Sequence, residues 1–302
     1  MTTATTSDSR EAREPSTKSL VMHSAARHYD LLAWLLTLGR ERALRERLVD
    51  IARLAPGEMV LDVGCGTGSL AVTAKRRVGP AGRVRGVDAS SEMIEQARAK
   101  AAKAGLDVAF DVARAAALPV PDASVDVVLS TLMLHHLPAA VRERFAGEIR
   151  RVLKPGGRVL AVDFEPPAKK PGGLISQLHR HGHVPLREIL ALLERAGLRV
   201  EETGAVGASD LQFATARVPV PGAHEPPTPP AVRSLPPLPM PRWIWLVGIA
   251  AVLVAHALLL RVASTALVLG GLSVVVIAAL LLAHLGAAGG IHRLLRRHRR
   301  RA

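Results

Sequence analysis

Cysteine and aromatic side chains are scarce in this chain. A single cysteine, Cys65, excludes an internal disulfide framework and fits a reducing compartment. Aromatic residues make up 3% of the 302 positions although apolar residues make up 49%. The apolar excess is concentrated near the C-terminus in Ala, Leu and Val runs, a composition typical of membrane segments. Residues 1–19 contain no apolar core of signal-peptide length; they read as a disordered tail, and no cleaved export signal is expected. Acidic residues number 26 against 40 basic ones, a formal charge of +14. Six of the arginines (Arg293, Arg296, Arg297, Arg299, Arg300, Arg301) lie in the last ten residues beside an apolar segment. That placement points to a membrane surface rather than to nucleic acid.

The centre of the chain is VLDVGCGTGSL, residues 60–70. Strand-type residues Met59, Val60, Leu61 and Val63 run into glycines at alternate positions, Gly64, Gly66 and Gly68, which allow positive φ and close approach of backbone to a ligand. Upstream, residues 21–54 carry apolar residues at helical spacing, with Gly39 as a break between two helices. Tyr29, the sole tyrosine, falls in the first of these, where an amphipathic ring suits a helix–core boundary. Downstream, the sequence predicts a helix over 70–77, a GPAG turn, and a strand over 83–87 that ends in Asp88. A βαβ unit with an acid about 20 residues beyond its glycines is the general arrangement for nucleoside binding. The spacing G-x-G-x-G is not the dinucleotide G-x-G-x-x-G, and no Lys-Ser/Thr follows to make a P-loop.

VLDVGCGTG, followed by VRGVDAS, ALPVPDASVDVVLSTLMLHHL and RVLKPGGRVLAVDF, resembles the class I S-adenosylmethionine-dependent methyltransferases, especially the branch acting on small molecules and quinones. The resemblance runs from about His28 to Val218. It implies a Rossmann-like α/β fold: a seven-stranded sheet with helices on both faces, ended by an antiparallel hairpin over 198–206 and 211–218 that follows a helix over 185–196. It also implies roles for individual residues. Asp62, Gly64, Gly66 and Gly68 match the loop around the methionine part and ribose of the cofactor, and Cys65 packs beside it. Asp88 matches the ribose-binding acid, with Ala89 next to it. Met93 lies near where relatives cover the adenine, though ordinary helix core suits it nearly as well. Ser130 matches the floor of the pocket, and Tyr29 the aromatic that closes it. One position departs from the pattern: where many members place an adenine-binding Asp, this chain has Arg114, which cannot accept that bond.

The sulfonium of the implied cofactor makes its methyl group electrophilic, so transfer is an in-line displacement that chiefly needs positioning and exclusion of water. A base is required only if the acceptor loses a proton. His135 and His136 follow the fourth strand, at the rim where open α/β sheets bind ligands. His136 and, in LHRHGHV, His179 are the candidate bases; His181 and His183 complete the second group, which reads better as a polar lid than as a metal site. No metal is expected. No N/D-P-P-Y/F motif follows the fourth strand, which argues against methylation of nucleic-acid or protein amino groups of the type that uses it.

Beyond a methyltransferase domain over 20–218, residues 219–241 hold ten prolines and read as a semi-rigid linker. Residues 242–290 then read as a transmembrane hairpin with spans at about 243–260 and 265–288, followed by a basic cytoplasmic tail over 291–302. An even number of spans and the arginine excess place the catalytic domain on the cytoplasmic face of a plasma membrane. The function expected is membrane-tethered methyl transfer to a small, apolar or lipid-linked acceptor such as a quinone precursor or phenol. The alternative is a cofactor-binding membrane sensor or scaffold without turnover.

Overall fold

The computed structural model describes residues 39–166, 183–208, 210–222, 229–239 and, beyond them, 241, 243, 244, 246 and 249–258. The chain divides into two compact units, Met1–Pro239 and Met240–Ala302.

In the first unit, helix α1 (Glu41–Ile51) leads to strand β1 (Met59–Val63), α2 (Ser69–Val78), β2 (Arg83–Asp88), α3 (Ser91–Lys103) and β3 (Ala109–Val112). The chain then returns to β4 (Val125–Thr131) and continues through α4 (Ala139–Val152), β5 (Leu153–Phe164), α5 (Leu186–Arg195), β6 (Arg199–Ala205), β7 (Leu211–Arg217) and β8 (Ala231–Val232). The sheet order is β3-β2-β1-β4-β5-β7-β6-β8. Strands β3 through β5 are parallel; β7 is antiparallel to both β5 and β6. Because connections leave β1 toward β2 on one side and reach β4 on the other, a crevice opens beyond the carboxyl ends of β1 and β4, where such sheets bind ligands.

The inner strands are near-continuous apolar runs, as parallel strands covered on both faces must be. Alternation along β1 sorts its residues between two cores. Val60 packs with Val49 of α1, Ala71 of α2 and Ile94 of α3 on one face. Leu61 and Val63 pack with Phe145 and Ile149 of α4 and Ile189 and Leu193 of α5 on the other. By the same alternation Asp62 shares the face of Val60, beneath the first turn of α2.

The sheet has eight strands, not the seven expected. The added strand comes from the proline-rich stretch: Ala231 and Val232 pair in parallel with Glu202 and Thr203 at the edge of β6. Arg233 N–H donates to Thr203 O (2.8 Å), Leu238 N–H donates to Gly207 O (2.9 Å), and the Leu238 side chain is buried. Arg47 of α1 donates to the carbonyls of both Val206 and Pro236. Two glycines make room for this strap, since a Cβ on Gly204 would lie 2.0 Å from Arg233 O and one on Gly207 2.4 Å from Pro236 O. Residues 229–239 are therefore docked on the sheet edge rather than spaced away from it. An edge strand suits proline, which has no N–H to offer an inner ladder.

In the second unit, residues 243, 244, 246 and 249–258 are helical, with Leu246, Ile249, Leu253, Val254 and Leu258 exposed. Among the described residues no helix is long and apolar enough to cross a membrane, so the expected hairpin gains no support there. Residues 259–302, which hold the end of the first expected span, all of the second and the arginine-rich tail, lie outside the described residues, as do the tail over 1–19 and the first expected helix.

Candidate active site

The turn between β1 and α2 is tied to the end of β2: the amides of Gly64 and Cys65 both donate to Val87 O (2.8 and 3.0 Å). Gly64 (φ 71°) lies against Met133, whose Cγ would be 2.4 Å from an added Cβ. Gly68 (φ 74°) opens α2, and a Cβ there would sit 2.7 Å from Ala97 Cβ and 2.8 Å from Phe110 Cζ. The Phe110 ring wedges between Gly68 and Gly86, drawing turn, β2 and β3 together. At Gly66, by contrast, an added Cβ would meet nothing within 4 Å. The outer two glycines serve packing, and the middle one faces open space where a ligand can approach backbone. Lys100 of α3 fixes the turn from the side through Thr67 Oγ1 (2.8 Å) and Ser69 Oγ.

Two acids flank this opening. Asp88 is half-buried; its Oδ2 accepts from Gly66 N–H (2.9 Å) and its Oδ1 from Ser90 N–H (2.9 Å). Each oxygen keeps capacity for another bond, as a diol would require. Asp62 is 1% exposed and neither of its oxygens has a hydrogen-bond partner. Burial pushes its carboxyl up to about 7; the charge of Asp88 adds to the rise, while the Ala71 amide and Arg45 oppose it. The Ala71 amide thus favours the anion without reaching hydrogen-bond geometry. Ser130 Oγ, at the end of β4 and in register with Val63, is likewise buried and unpartnered. Orphaned polar atoms under an open glycine turn fit S-adenosylmethionine: Asp62 would pair with its ammonium group, Asp88 with its ribose hydroxyls, and the Gly66 backbone would admit its close approach.

Cys65 contributes through its backbone. Its thiol is buried against Gly86, and burial, with the charges of Asp62 and Asp88, raises its pKa well above the ordinary range. Met93 is 1% exposed and lies on the buried face of α3, its backbone N–H donating to Ser90 Oγ at the cap (3.3 Å), whereas Ala89 is exposed. Val112, in register with Asp88 and 55% exposed, adds an apolar lip that sequence reasoning passed over; an apolar residue exposed at the end of an edge strand was its only signal. Tyr29 and His179 lie outside the described residues.

On the β4–β5 side of the crevice, the chain leaves β4 through Leu132 (φ 57°), a left-handed conformation uncommon outside glycine, and enters a single 3-10 turn, Leu134–His136. Arg142 of α4 holds this turn by donating to Leu137 O (2.7 Å) and bonding Glu188 (2.7 Å). Of the two histidines, the candidate base His136 is exposed. His135 is the one built in: its Nδ1 is 2.7 Å from Asp163 Oδ1, its amide donates to Asp163 Oδ2 (3.1 Å), and both side chains are buried. Phe164 packs edge-on to His135 (5.7 Å) and to His183 (6.4 Å). The signal for Asp163 was present in the sequence, as an acid at the end of the fifth strand, but its pairing was not. Among the described residues, no cluster of three or more His, Cys, Asp or Glu could hold a metal.

Comparison with known proteins agrees with this geometry. The family described as "Methyltransferase domain" matches residues 60–157. The chain is 40% identical over 154 residues to a demethylmenaquinone methyltransferase of Thermus thermophilus, covering 51% of this chain and 69% of that protein. It is 36% identical over 149 residues to a ubiquinone/menaquinone biosynthesis C-methyltransferase of Bordetella avium, covering 49% of this chain and little more than half, 57%, of the relative. Among solved structures, a SAM-dependent methyltransferase from Aquifex aeolicus superimposes with a TM-score of 0.51 at 26% identity, covering 65% of this chain and 97% of that one. With its glycine turn, paired acids and sheet order in place, the chain belongs to the class I S-adenosylmethionine-dependent methyltransferases, on the branch that holds these quinone enzymes.

Proposed function

We propose that this enzyme methylates a small aromatic acceptor, a quinol of the demethylmenaquinone type, at the rim beyond β4 and β5. The observation that carries the reading is the similarity to a demethylmenaquinone methyltransferase, 40% identical over 154 residues. The rim is consistent with it. The Phe164 ring packs edge-on to His135 and His183, an aromatic lining that suits an aromatic acceptor, and the turn that carries His135 follows Met133, which packs against Gly64.

S-adenosylmethionine supplies an electrophilic methyl group on sulfur. The protein's part is to hold the ammonium and ribose through Asp62 and Asp88, to present the acceptor ring from the β4–β5 side, and to exclude water. An acceptor of this kind with a long isoprenoid tail is dissolved in lipid. The apolar sequence over 243–288 and the arginines beyond it support the second part of the reading, that the chain is held at a bilayer on its cytoplasmic face.

The test is turnover by the full chain in detergent, with S-adenosylmethionine and a short-chain demethylmenaquinol. Stoichiometric S-adenosylhomocysteine and ring-methylated product are expected. S-adenosylhomocysteine binding without turnover of any quinol or phenol would overturn the acceptor assignment. Recovery of the native protein in the carbonate-soluble fraction of lysed cells would overturn the membrane placement.

A further inference from the structure

We propose that His135 is the general base of methyl transfer, acting through Nε2, and that Asp163 is the residue that positions it. The proposal rests on the methyl-transfer reading above and adds to it the proton that the acceptor must lose.

Asp163 has no exposed side-chain surface, and both its oxygens are engaged at one place. Oδ1 meets His135 Nδ1 and the amide of Phe164 (2.8 Å), and Oδ2 takes the amide of His135. A carboxylate can only accept, so Nδ1 must carry the proton, and the neutral imidazole keeps its lone pair on Nε2. No described residue bonds Nε2. Among the described residues, the charged or titratable groups around the imidazole are Asp163 on β5, His136 on the same turn, His183 across Phe164, and Arg142, which is spent on the turn's own carbonyls and on Glu188. Asp163 is thus the sole carboxylate among them, and it stabilises the imidazolium once a proton has arrived. Exposed His136 leans on His135, with 3.9 Å between ring centroids and 47° between the ring planes.

The chemical consequence concerns the acceptor class. A buried His–carboxylate pair is of no use to an acceptor that is already nucleophilic, such as a thioether or a neutral tertiary amine. It suits an O–H acid whose anion is the nucleophile, a phenol or hydroquinol. The acceptor gives its O–H proton to Nε2. Its anion, at oxygen or at the conjugated ring carbon, takes the methyl group, while the electron pair of the broken S–C bond stays on sulfur. Where carbon is methylated, the ring C–H proton moves to the vacated oxygen. One proton per turnover leaves His135 for solvent, and no oxidant or reductant is required.

Two measurements on the full chain in detergent test this. With histidine labelled in 15N and S-adenosylhomocysteine bound, long-range 1H–15N spectra at pH 8 should show His135 protonated on Nδ1 and bare on Nε2, and Asp163→Asn should alter that tautomer. A proton on Nε2 in the wild type would overturn the proposal. In single-turnover reactions with a short-chain demethylmenaquinol, His135→Gln should slow methyl transfer by roughly 10²–10⁴-fold. It should also abolish the acid limb of the pH–rate profile and leave S-adenosylhomocysteine affinity unchanged. Asp163→Asn should slow transfer with the same loss of pH dependence, because it presents an amide to Nδ1. A wild-type rate in His135→Gln overturns the base assignment. If the wild type binds S-adenosylhomocysteine yet methylates no quinol, it is the acceptor assignment that has failed, and the tautomer decides the base by itself.

Discussion

Replacing Asp62 by Asn should make the ligand-free protein more stable at alkaline pH while weakening its hold on the cofactor. The carboxyl is fully buried without a partner, and its pKa stands near 7 in the folded state against 3.8 for the free group. The native state therefore binds a proton more tightly than the unfolded chain does. Between about pH 4 and pH 7 it holds more protons, so stability falls as pH rises through that window and stays lowered above it. A rise from 3.8 to about 7 corresponds to a ceiling of about 4 kcal/mol. Water penetration reduces that, and a relative change of at least about 2 kcal/mol is expected, about 4–8 °C in Tm for a domain of this size. Thermal unfolding of wild type and Asp62→Asn from pH 5 to pH 8.5 reads it directly. The wild-type Tm should fall with pH, and the variant, as unpaired as the protonated acid but never charged, should not follow. S-adenosylhomocysteine, whose ammonium would pair with the carboxylate, should raise the wild-type Tm more at pH 8.5 than at pH 5, with no such trend in the variant. Parallel pH curves for the two proteins would refute the reasoning.

Asp88→Ala should weaken S-adenosylhomocysteine binding, measured calorimetrically, by roughly 1.5–3 kcal/mol, because it removes charge-assisted bonds to the ribose together with the tie to Gly66 N–H. The Cys65 thiol, buried and with its pKa raised, should resist Ellman's reagent in the native protein and react at once in denaturant. Gly204→Ala should push the strap off β6, since its Cβ would lie 2.0 Å from Arg233 O. Faster tryptic cleavage after Arg233 and a loss of about 1–3 kcal/mol are expected, and an unchanged digestion pattern would contradict the docking.

Local rules made the cofactor half of the site legible. Glycines at alternate positions after an apolar run, and an acid closing the next strand, specify a turn and a carboxylate whose partners lie within about 25 residues. The structure puts Gly64, Gly66, Gly68 and Asp88 together accordingly. What sequence could not give was the unsatisfied state of Asp62, which depends on the layer of helices packed over β1. The acceptor half was less legible because His135 and His136 are adjacent and chemically alike. Which of them turns inward is decided by Asp163, 28 residues further along the chain. The strap escaped for a similar reason. Ala231–Val232 is too short for a periodic signal, and prolines on both sides read as an extended spacer. Its strand character comes from the open edge of β6 and from the two glycines there that have no side chains to obstruct it.

That edge sets where the first unit can be cut. A fragment ending at Val218, the boundary composition suggests, would leave Thr203 O and Ala205 O without the amides of Arg233 and Leu235, and would strip Leu238 from its seat. A strand left so exposed is a template for another chain, and such a fragment should associate edge to edge in proportion to its concentration. A fragment carried through to Pro239 keeps its own blunting strand and should stay monodisperse, so the proline-rich stretch acts first as a guard against self-association.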